Sequence, residues 1–281
     1  MKEEIVNTRL DMFKKMFGLE KPIIGMIHLK PLPGSPLYDG SGLSNTIEHA
    51  LEDAEMLLSG GVNGLEVENF GDASYFPDTA PPDTIASLSI VAHEIRKGYP
   101  ESILGICLLS DPMASIAIAH SVRAQFIRAT FFTEASVDVS GLVLRRPHEI
   151  LRYRKFLDPS IKIFADVHIK HSAPLAYRPI EESAYDAAYF LADAVIVSGK
   201  HTGFPTDVED VKKVKTVLPD EPVLVGSGTR LENVEELLSY ADGAIVGTSL
   251  KVDGVTVNPV DVQRTKAFMS KVKEIIFKGG K

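Results

Sequence analysis

The sequence predicts an α/β fold, a single (β/α)8 TIM barrel with one extra N-terminal helix. Short apolar runs rich in β-branched residues alternate eight times with helical patterns along the 281 residues, which is typical of parallel strands joined by helices. The length also fits, because one such barrel usually takes about 250 residues. Glycine-rich turns follow the last two runs, where barrels of this type bind phosphate.

Eight apolar runs bounded by glycine, proline or polar residues are the predicted strands. They lie at residues 23–28, 64–68, 103–108, 125–129, 161–167, 194–197, 223–225 and 244–246. Long polar, proline-rich segments follow the first two runs. We expect these segments to cover the site, because loops of this length in a compact domain are usually functional. A small extra hairpin is expected around residues 137–144.

Helical patterns fill the segments between the strands. They lie at residues 45–60, 84–97, 147–156, 180–191, 208–218, 231–240 and 260–277, with a further helix that begins at Pro112. Asp111 is suited to cap that helix, and Pro112 to its first turn. An open doubly wound sheet is the competing fold. It is disfavoured because no GxGxxG turn follows the first strand and the glycine turns come late.

Residues 1–20 form a predicted amphipathic helix ahead of the barrel, with Ile5, Phe13 and Phe17 among its apolar positions. Such a helix could close the bottom of the barrel or make an oligomer contact. A membrane-surface helix is less favoured, because acidic residues break the apolar stripe. No second domain boundary is evident, so residues 1–281 are predicted to be one domain.

The composition is that of an ordinary globular protein, with 44% hydrophobic and 24% charged residues. We expect a cytoplasmic protein without a transmembrane segment, because no apolar run approaches the ~18 residues of a membrane span and no secretory signal pattern is present. A net charge of −8 argues against a nucleic-acid partner. The single cysteine excludes an internal disulfide. Barrels of this size commonly form homo-oligomers, and we expect one here.

Two turns within the segment 221–251 are the predicted phosphate site. Their residues are Gly226, Ser227 and Gly228 in the first turn and Gly247, Thr248 and Ser249 in the second. Glycine-rich turns after strands can point several backbone amides at an anion. The alternative is that both are tight turns whose glycines serve backbone geometry alone.

Along three predicted strands, the polar side chains occupy every second position, so they share one parity within each strand. Residues of one parity in a barrel strand point to the interior, where ionisable groups are costly unless they are paired or bind a ligand. The residues placed inward by this rule are Met26, His28, Glu66, Glu68, Asp166, His168 and Lys170. Strand ends are also the usual catalytic positions of this fold.

The predicted catalytic set around one pocket is His28, Glu68, Asn69, Asp166, His168 and Lys170. These groups could act as general acid and base on a sugar-like substrate. Alternatively, Glu68, Asp166 and His168 could bind a divalent metal ion, the one cofactor that the pattern suggests. A third interpretation is a buried ion-pair network that fills the barrel, formed by Glu66, Glu68, Arg128 and Lys170.

Other polar residues carry weaker signals. His171, Lys200 and His201 lie just beyond strand ends and are candidate rim residues. Lys251 either neutralises a phosphate or is an ordinary exposed lysine. Cys107 is expected to be a small buried group, because nothing near it in sequence supplies a base. Four histidines on or beside predicted helices are expected to serve the surface or packing: His49, His93, His120 and His148.

Five motifs, in this order, resemble those of the BtpA family over nearly the whole chain. They are MIHLKPLPGSP after the first strand, VENFGD after the second, FADVHIKHS at the fifth, VSGKHTG after the sixth and VLVGSGTRLENV at the seventh. The family's motif positions fall here on His28, Glu68, Asn69, Asp166, His168, Ser198, Gly199, Gly226, Ser227, Gly228, Gly247 and Thr248. No catalytic residue set is carried over with the resemblance.

The resemblance implies two kinds of function. The family takes its name from a cyanobacterial factor that supports accumulation of photosystem I reaction-centre proteins as a peripheral thylakoid protein, which implies an assembly role with peripheral membrane contact. Relatives in organisms without a photosystem imply a broader, enzymatic role. With the phosphate turns, we expect a lyase, hydrolase or isomerase acting on a phosphorylated small molecule, either a phosphosugar or a nucleotide-derived compound.

Overall fold

Eleven strands form two sheets in the computed structural model, which describes residues 8–199 and 201–279. The strands are Ile23–His28 (β1), Gly64–Glu68 (β2), Leu104–Cys107 (β3), Phe126–Ala129 (β4), Ser136–Asp138 (β5), Gly141–Val143 (β6), Lys162–Val167 (β7), Ser172–Pro174 (β8), Ala194–Val197 (β9), Val223–Val225 (β10) and Gly243–Val246 (β11). Eight of them close into a parallel barrel in the order β1, β2, β3, β4, β7, β9, β10, β11. The predicted (β/α)8 fold is therefore confirmed.

Each barrel strand is followed by a helix that packs on the outside. The helices are Arg9–Phe17 (α1), Leu43–Gly60 (α2), Pro82–Gly98 (α3), Pro112–Val122 (α4), Pro147–Leu157 (α5), Ile180–Tyr189 (α6), Val208–Val217 (α7), Val234–Tyr240 (α8) and Val262–Gly279 (α9). As predicted, Asp111 caps α4, and its carboxylate accepts a hydrogen bond of 2.9 Å from the Ala114 amide. Among the described residues, no helix has the length and apolar character needed to cross a membrane.

The N-terminal helix α1 closes the bottom of the barrel. Phe13 and Phe17 on α1 are buried with the residues that fill the barrel floor. The rings of Phe13 and Phe164 lie 5.8 Å apart, and Phe164 in turn stacks on Phe126 at 4.5 Å. Of the two roles left open for this helix, closing the barrel bottom is the one that residues 9–17 show. The predicted apolar position Ile5 lies outside the described residues.

The barrel interior changes from apolar at the bottom to charged at the top. Ile24, Leu224 and the two stacked phenylalanines fill the lowest part. Gly105 leaves room for this stack, because a Cβ there would lie 2.1 Å from the Phe126 ring. Above this floor the inward positions become ionisable, with Glu66 and Arg128 both buried. The parity rule therefore holds within the regular strands.

A small antiparallel sheet stands beside the barrel mouth. Strands β5 and β6 form the predicted hairpin, with Val137 paired to Leu142. Strand β8 adds a third strand on the other side of β5, with Ala173 opposite Val137. This third strand was not predicted, because three residues ending in proline carry no recognisable strand pattern.

Candidate active site

A cavity lies on the barrel axis at the carboxyl ends of the strands. Its free space is about 30 Å³, room for roughly two water molecules. The lining residues are Met26, His28, Glu68, Arg128, Lys170, Thr202, Gly203, Gly226, Ser227, Gly228, Ile245, Gly247 and Thr248. The structure thus brings both glycine turns to the same mouth as His28, Glu68 and Lys170. We call this space the axial cavity.

Arg128 on β4 is the centre of a buried ion network below the axial cavity. Its Nε and Nη2 donate to the two carboxylate oxygens of Asp166 at 2.7 and 2.9 Å. Its Nη1 lies 3.7 Å from Glu66 and 3.8 Å from Glu68. One guanidinium therefore holds three inward carboxyl groups, and its planar fork suits the two-point contact with Asp166.

The carboxylate oxygens of Asp166 are occupied by hydrogen bonds within and beside this network. Besides the two bonds from Arg128, its Oδ1 accepts a hydrogen bond of 2.9 Å from the Ser198 hydroxyl. A carboxylate with three donors has little capacity left for proton transfer, so the geometry favours a structural role over the predicted catalytic one. The predicted network of buried ion pairs exists with one change, since Asp166 occupies the place expected for Lys170.

Lys170 lies instead at the top of the axial cavity, half-buried. No carboxylate among the described residues lies within 4.0 Å of its ammonium group. An ammonium group without a structural partner can stabilise negative charge on a bound molecule.

His28 ends β1 and faces the axial cavity. Burial lowers the pKa of His28 well below its usual range, and the positive charges of Lys251, Lys170 and Arg128 lower it further. The imidazole is therefore neutral at neutral pH, and it can accept a proton. Its Nε2 lies 3.9 Å from a carboxylate oxygen of Glu68.

The predicted metal site of Glu68, Asp166 and His168 is not formed. The residue His168 follows β7 with a left-handed φ of 47°, which breaks the alternation of the strand. Its Nε2 lies 3.1 Å from the Ser183 hydroxyl on α6 and 3.8 Å from Glu134, away from the axial cavity. The catalytic assignment of His168 is therefore not supported by its position.

One other trio of possible metal ligands exists within the described chain. Donor atoms of Glu66, Glu68 and Cys107 lie within 4.8 Å of one another. Burial raises the pKa of the Cys107 thiol well above its usual range, and the negative charges of Glu68 and Glu66 raise it further. The Arg128 guanidinium already supplies positive charge to both carboxyl groups. This trio is better explained as part of the ion network, and Cys107 is the buried group that was predicted.

Asn69 is also separate from the axial cavity. Its side-chain amide donates to Asp72 at 3.0 Å, and its carbonyl oxygen accepts from the Leu109 amide at 2.9 Å. Asn69 thus joins the loops that follow β2 and β3, and it lines a different cavity with Tyr75 and Phe76. The structure therefore does not bring Asn69 to the axial cavity together with His28 and Glu68.

The glycines of the two turns have steric reasons to be glycine. A Cβ on Gly247 would lie 2.7 Å from the ring of His28, so this glycine makes room for the imidazole. Gly228 has a φ of +66°, and a Cβ there would lie 2.0 Å from the carbonyl oxygen of Phe204. Glycine identity alone is therefore accounted for without a ligand, as the alternative interpretation holds.

The hydrogen bonding of the backbone amides in the two turns is evidence independent of the glycine side chains. Five of these amides donate no hydrogen bond to any part of the chain that the structure describes. They belong to Ser227, Gly228 and Thr229 in the first turn and to Thr248 and Ser249 in the second. The buried hydroxyl of Thr229 also has no partner there. Backbone N–H groups that lie together in turns and have no partner in the chain can bind an anion, and the Thr229 hydroxyl adds a further donor.

A second and larger cavity adjoins the turns on the side facing α9. Its free space is about 930 Å³, and it shares Gly203, Gly228, Gly247 and Thr248 with the axial cavity. Arg230, in the loop after β10, and Arg264, in the first turn of α9, both line it. We call this space the outer cavity. No pattern in the sequence predicted it, because surface arginines are common and usually solvated.

The remaining candidates lie elsewhere. Lys251 is buried outside the barrel and donates to Asp53 of α2 at 2.5 Å, so it neither neutralises a phosphate nor is exposed. His171 and His201 are exposed at the rim, where their Nδ1 atoms lie 3.4 Å apart. The third predicted rim residue, Lys200, lies outside the described residues.

Comparison with solved structures supports the fold. The chain is similar to the native KDPGal structure, with a TM-score of 0.57 and 16% identity over 91% of this chain and 96% of that one. It is also similar to phosphoribosyl anthranilate isomerase from Thermus thermophilus, with a TM-score of 0.55 and 13% identity over 90% and 99% of the two chains. At these identities the likeness shows the TIM-barrel fold alone.

Comparison with other sequences identifies the family. An uncharacterised protein of Thermococcus kodakarensis is 43% identical over 256 residues, 91% of this chain and 96% of that one. The photosystem I biogenesis protein BtpA of Synechocystis is 34% identical over 266 residues, 94% and 92% of the two chains. The model of the BtpA family matches residues 19–274. The motif resemblance is confirmed, and this chain belongs to the BtpA family.

Proposed function

We propose that this protein is an enzyme that acts on a small phosphorylated compound, a phosphosugar or nucleotide derivative, by acid–base chemistry at the barrel mouth. The unpaired amides of the two turns bind the phosphate. The reacting end of the substrate enters the axial cavity beside His28, Glu68 and Lys170. The observation that carries the proposal is that the residues bearing these five amides and the three ionisable residues line two cavities that share four lining residues.

The three ionisable groups have distinct roles in this proposal. Neutral His28 accepts a proton from the substrate, and the nearby Glu68 carboxylate then stabilises the charged imidazole. The ammonium group of Lys170 stabilises the negative charge that develops as the proton leaves. Such a reaction belongs to the isomerases or lyases, in which proton removal rearranges or breaks a bond next to a carbonyl group.

Asp166 acts through its neighbours. It fixes Arg128, whose guanidinium lies under the axial cavity and keeps Glu66 and Glu68 in place. We therefore propose Asp166 as a positioning residue that does not contact the substrate.

The anion site is tested by changing one charge at the turn. Thr248 borders both cavities, and its half-exposed side chain leaves room for a residue of similar size. We expect phosphate, ribose 5-phosphate or a nucleoside monophosphate to raise the melting temperature of the native protein. A ligand at 100 times its Kd adds about 2.7 kcal/mol, or roughly 5–10 °C for a chain of this size. Thr248→Asp should abolish that shift, because it adds a negative charge where the phosphate binds.

Thr248→Asn is the matched control, since it has the shape of the aspartate without its charge. It should retain a clear ligand-induced shift. The proposal is wrong if none of the three phosphate compounds stabilises the native protein at concentrations well above millimolar. Equal shifts in the Asp and Asn variants would place any bound phosphate elsewhere.

A second candidate function is assembly of membrane protein complexes, as the name of the Synechocystis relative indicates for that protein. One surface favours it. Apolar side chains around the small sheet are strongly exposed, among them Val139, Leu175 and Tyr177. Such a surface is typical of a protein or peripheral membrane contact. Co-sedimentation with lipid vesicles tests it, and a protein that stays in the supernatant, with or without Val139→Ser, would leave membrane contact unsupported.

A further inference from the structure

We propose that the substrate carries two phosphoryl groups, and that Arg230 and Arg264 in the outer cavity bind the second one. This inference rests on the proposed phosphate site and extends it to a substrate class, the diphosphates and bisphosphates. It makes the two arginines determinants of specificity.

The sizes of the two cavities indicate where most of the substrate lies. The axial cavity has free space for only about two water-sized groups, whereas the outer cavity has about 930 Å³. Cavities that bind small molecules usually measure about 300–1,000 Å³. A substrate whose phosphate sits on the shared turns must therefore extend outward, past the phosphate, and not only inward.

The outer cavity offers positive charge beyond those turns. Arg230 donates from Nη2 to the Gly203 carbonyl at 2.7 Å, and Arg264 donates from Nε to the Ser249 carbonyl at 3.1 Å. Each arginine is thus anchored to a loop of the site by one hydrogen bond. Glu232 and Asp253 also line the cavity, but within the described chain no carboxylate lies within 4.0 Å of either guanidinium.

Unsatisfied donors connect the two regions. The unpaired hydroxyl of Thr229, which is only 3% exposed, lies between the first turn and Arg230 in the chain and lines the outer cavity. Thr248 and Ser249, whose amides are unpaired in the described chain, line the same space. A single terminal phosphate on the turns would leave the two guanidinium groups without an anion. Guanidinium groups bind phosphoryl oxygens through two parallel hydrogen bonds, so a second phosphoryl group suits them.

The test compares inorganic phosphate with pyrophosphate by isothermal titration calorimetry on the native chain. Pyrophosphate should bind at least about tenfold more tightly than phosphate. The double variant Arg230→Gln and Arg264→Gln should lose about tenfold or more in pyrophosphate affinity, because charged hydrogen bonds are removed. Its affinity for phosphate should change by less than about threefold, since the first site lies on the turns.

Arg152→Gln is the matched control, because Arg152 is also exposed and also donates one hydrogen bond to a backbone carbonyl. It should leave both affinities unchanged. Each single variant, checked by circular dichroism, replaces the double variant if that variant fails to fold. Equal affinities for the two anions, or an equal loss of both in the arginine variants, would overturn the inference while phosphate binding itself still stood. Binding of neither anion would overturn the proposed phosphate site as well.

Discussion

Replacing Asp166 with asparagine tests whether this carboxylate is structural. The change removes the negative charge that faces Arg128 and one of two acceptors that now receive bonds of 2.7 and 2.9 Å. Charged hydrogen bonds contribute about 1.5–3 kcal/mol each, and breaking a buried ion pair costs about 3–5 kcal/mol. The asparagine oxygen keeps one bond, and Glu68 still lies 3.8 Å from the guanidinium. We therefore expect the lower end, a loss of about 3 kcal/mol in the free energy of unfolding.

Urea denaturation followed by far-UV circular dichroism measures this loss, because the chain has no tryptophan for fluorescence. In thermal unfolding the same loss corresponds to roughly 6–10 °C. Asp220→Asn is the matched control at an exposed aspartate and should stay within about 0.5 kcal/mol of the native protein. A cooperative Asp166→Asn variant that loses less than about 1 kcal/mol would refute the structural role and return Asp166 to the candidates for catalysis.

Two further substitutions test the charged layer and the barrel floor. Burial raises the pKa of Glu66 to about 8, so the folded protein holds a proton between pH 4.5 and 8 that the unfolded chain releases. The contribution of Glu66 to the free energy of unfolding is therefore largest below pH 4.5 and falls by on the order of 1 kcal/mol per pH unit up to pH 8. Glu66→Gln should therefore gain stability relative to the native protein as pH rises. A stability difference that does not depend on pH would contradict the raised pKa of Glu66. Glu101→Gln, at an exposed site, is the control. Phe13→Ala should cost about 3 kcal/mol in urea denaturation, because its buried ring supports the floor, and Met12→Ala on the exposed face of the same helix should cost little.

The strand pattern of the sequence was sufficient for the fold and for the inner face of the barrel. His28, Glu66, Glu68 and Asp166 point inward as their parity predicts, because successive side chains in a regular strand point to opposite faces. His168 lies beyond the regular strand. Its left-handed backbone turns the imidazole toward α6, and a non-glycine residue in that conformation cannot be recognised from alternation.

Buried charges on the outside of the barrel were harder to predict. Lys251 was expected at a phosphate or on the surface, but it pairs with Asp53 on the buried face of α2. A signal for this pair was present. Asp53 falls in the apolar stripe of its helix beside Ala50, Ala54 and Leu57, and a buried carboxylate requires a cation or a donor. The sequence alone does not indicate which of the many lysines would supply that cation.

The sequence predicted an anion site at the two turns, but it could not predict which of their amides lack a partner. Whether the amide of Ser227 or Thr248 has a partner depends on loops that lie close together only in the folded chain. The same is true of Arg230 and Arg264, which lie in a loop and in α9 respectively and line one cavity only in the folded chain. Short-range patterns predict which residues face a site. Which hydrogen-bonding groups of that site remain unpaired depends on the packing of distant segments.

The pairing of charges separates structural from functional residues within one barrel. Below the mouth, Arg128 is paired with the Asp166 carboxylate at 2.7 Å, and this pair needs no ligand to balance its charges. One layer higher, Lys170 faces the axial cavity with no carboxylate of the described chain within 4.0 Å, and His28 faces it with Glu68 at 3.9 Å. Groups that the fold does not need are free to change protonation or to bind a charge during a reaction. The layer of the barrel at which pairing ends is therefore where we expect the chemistry to begin.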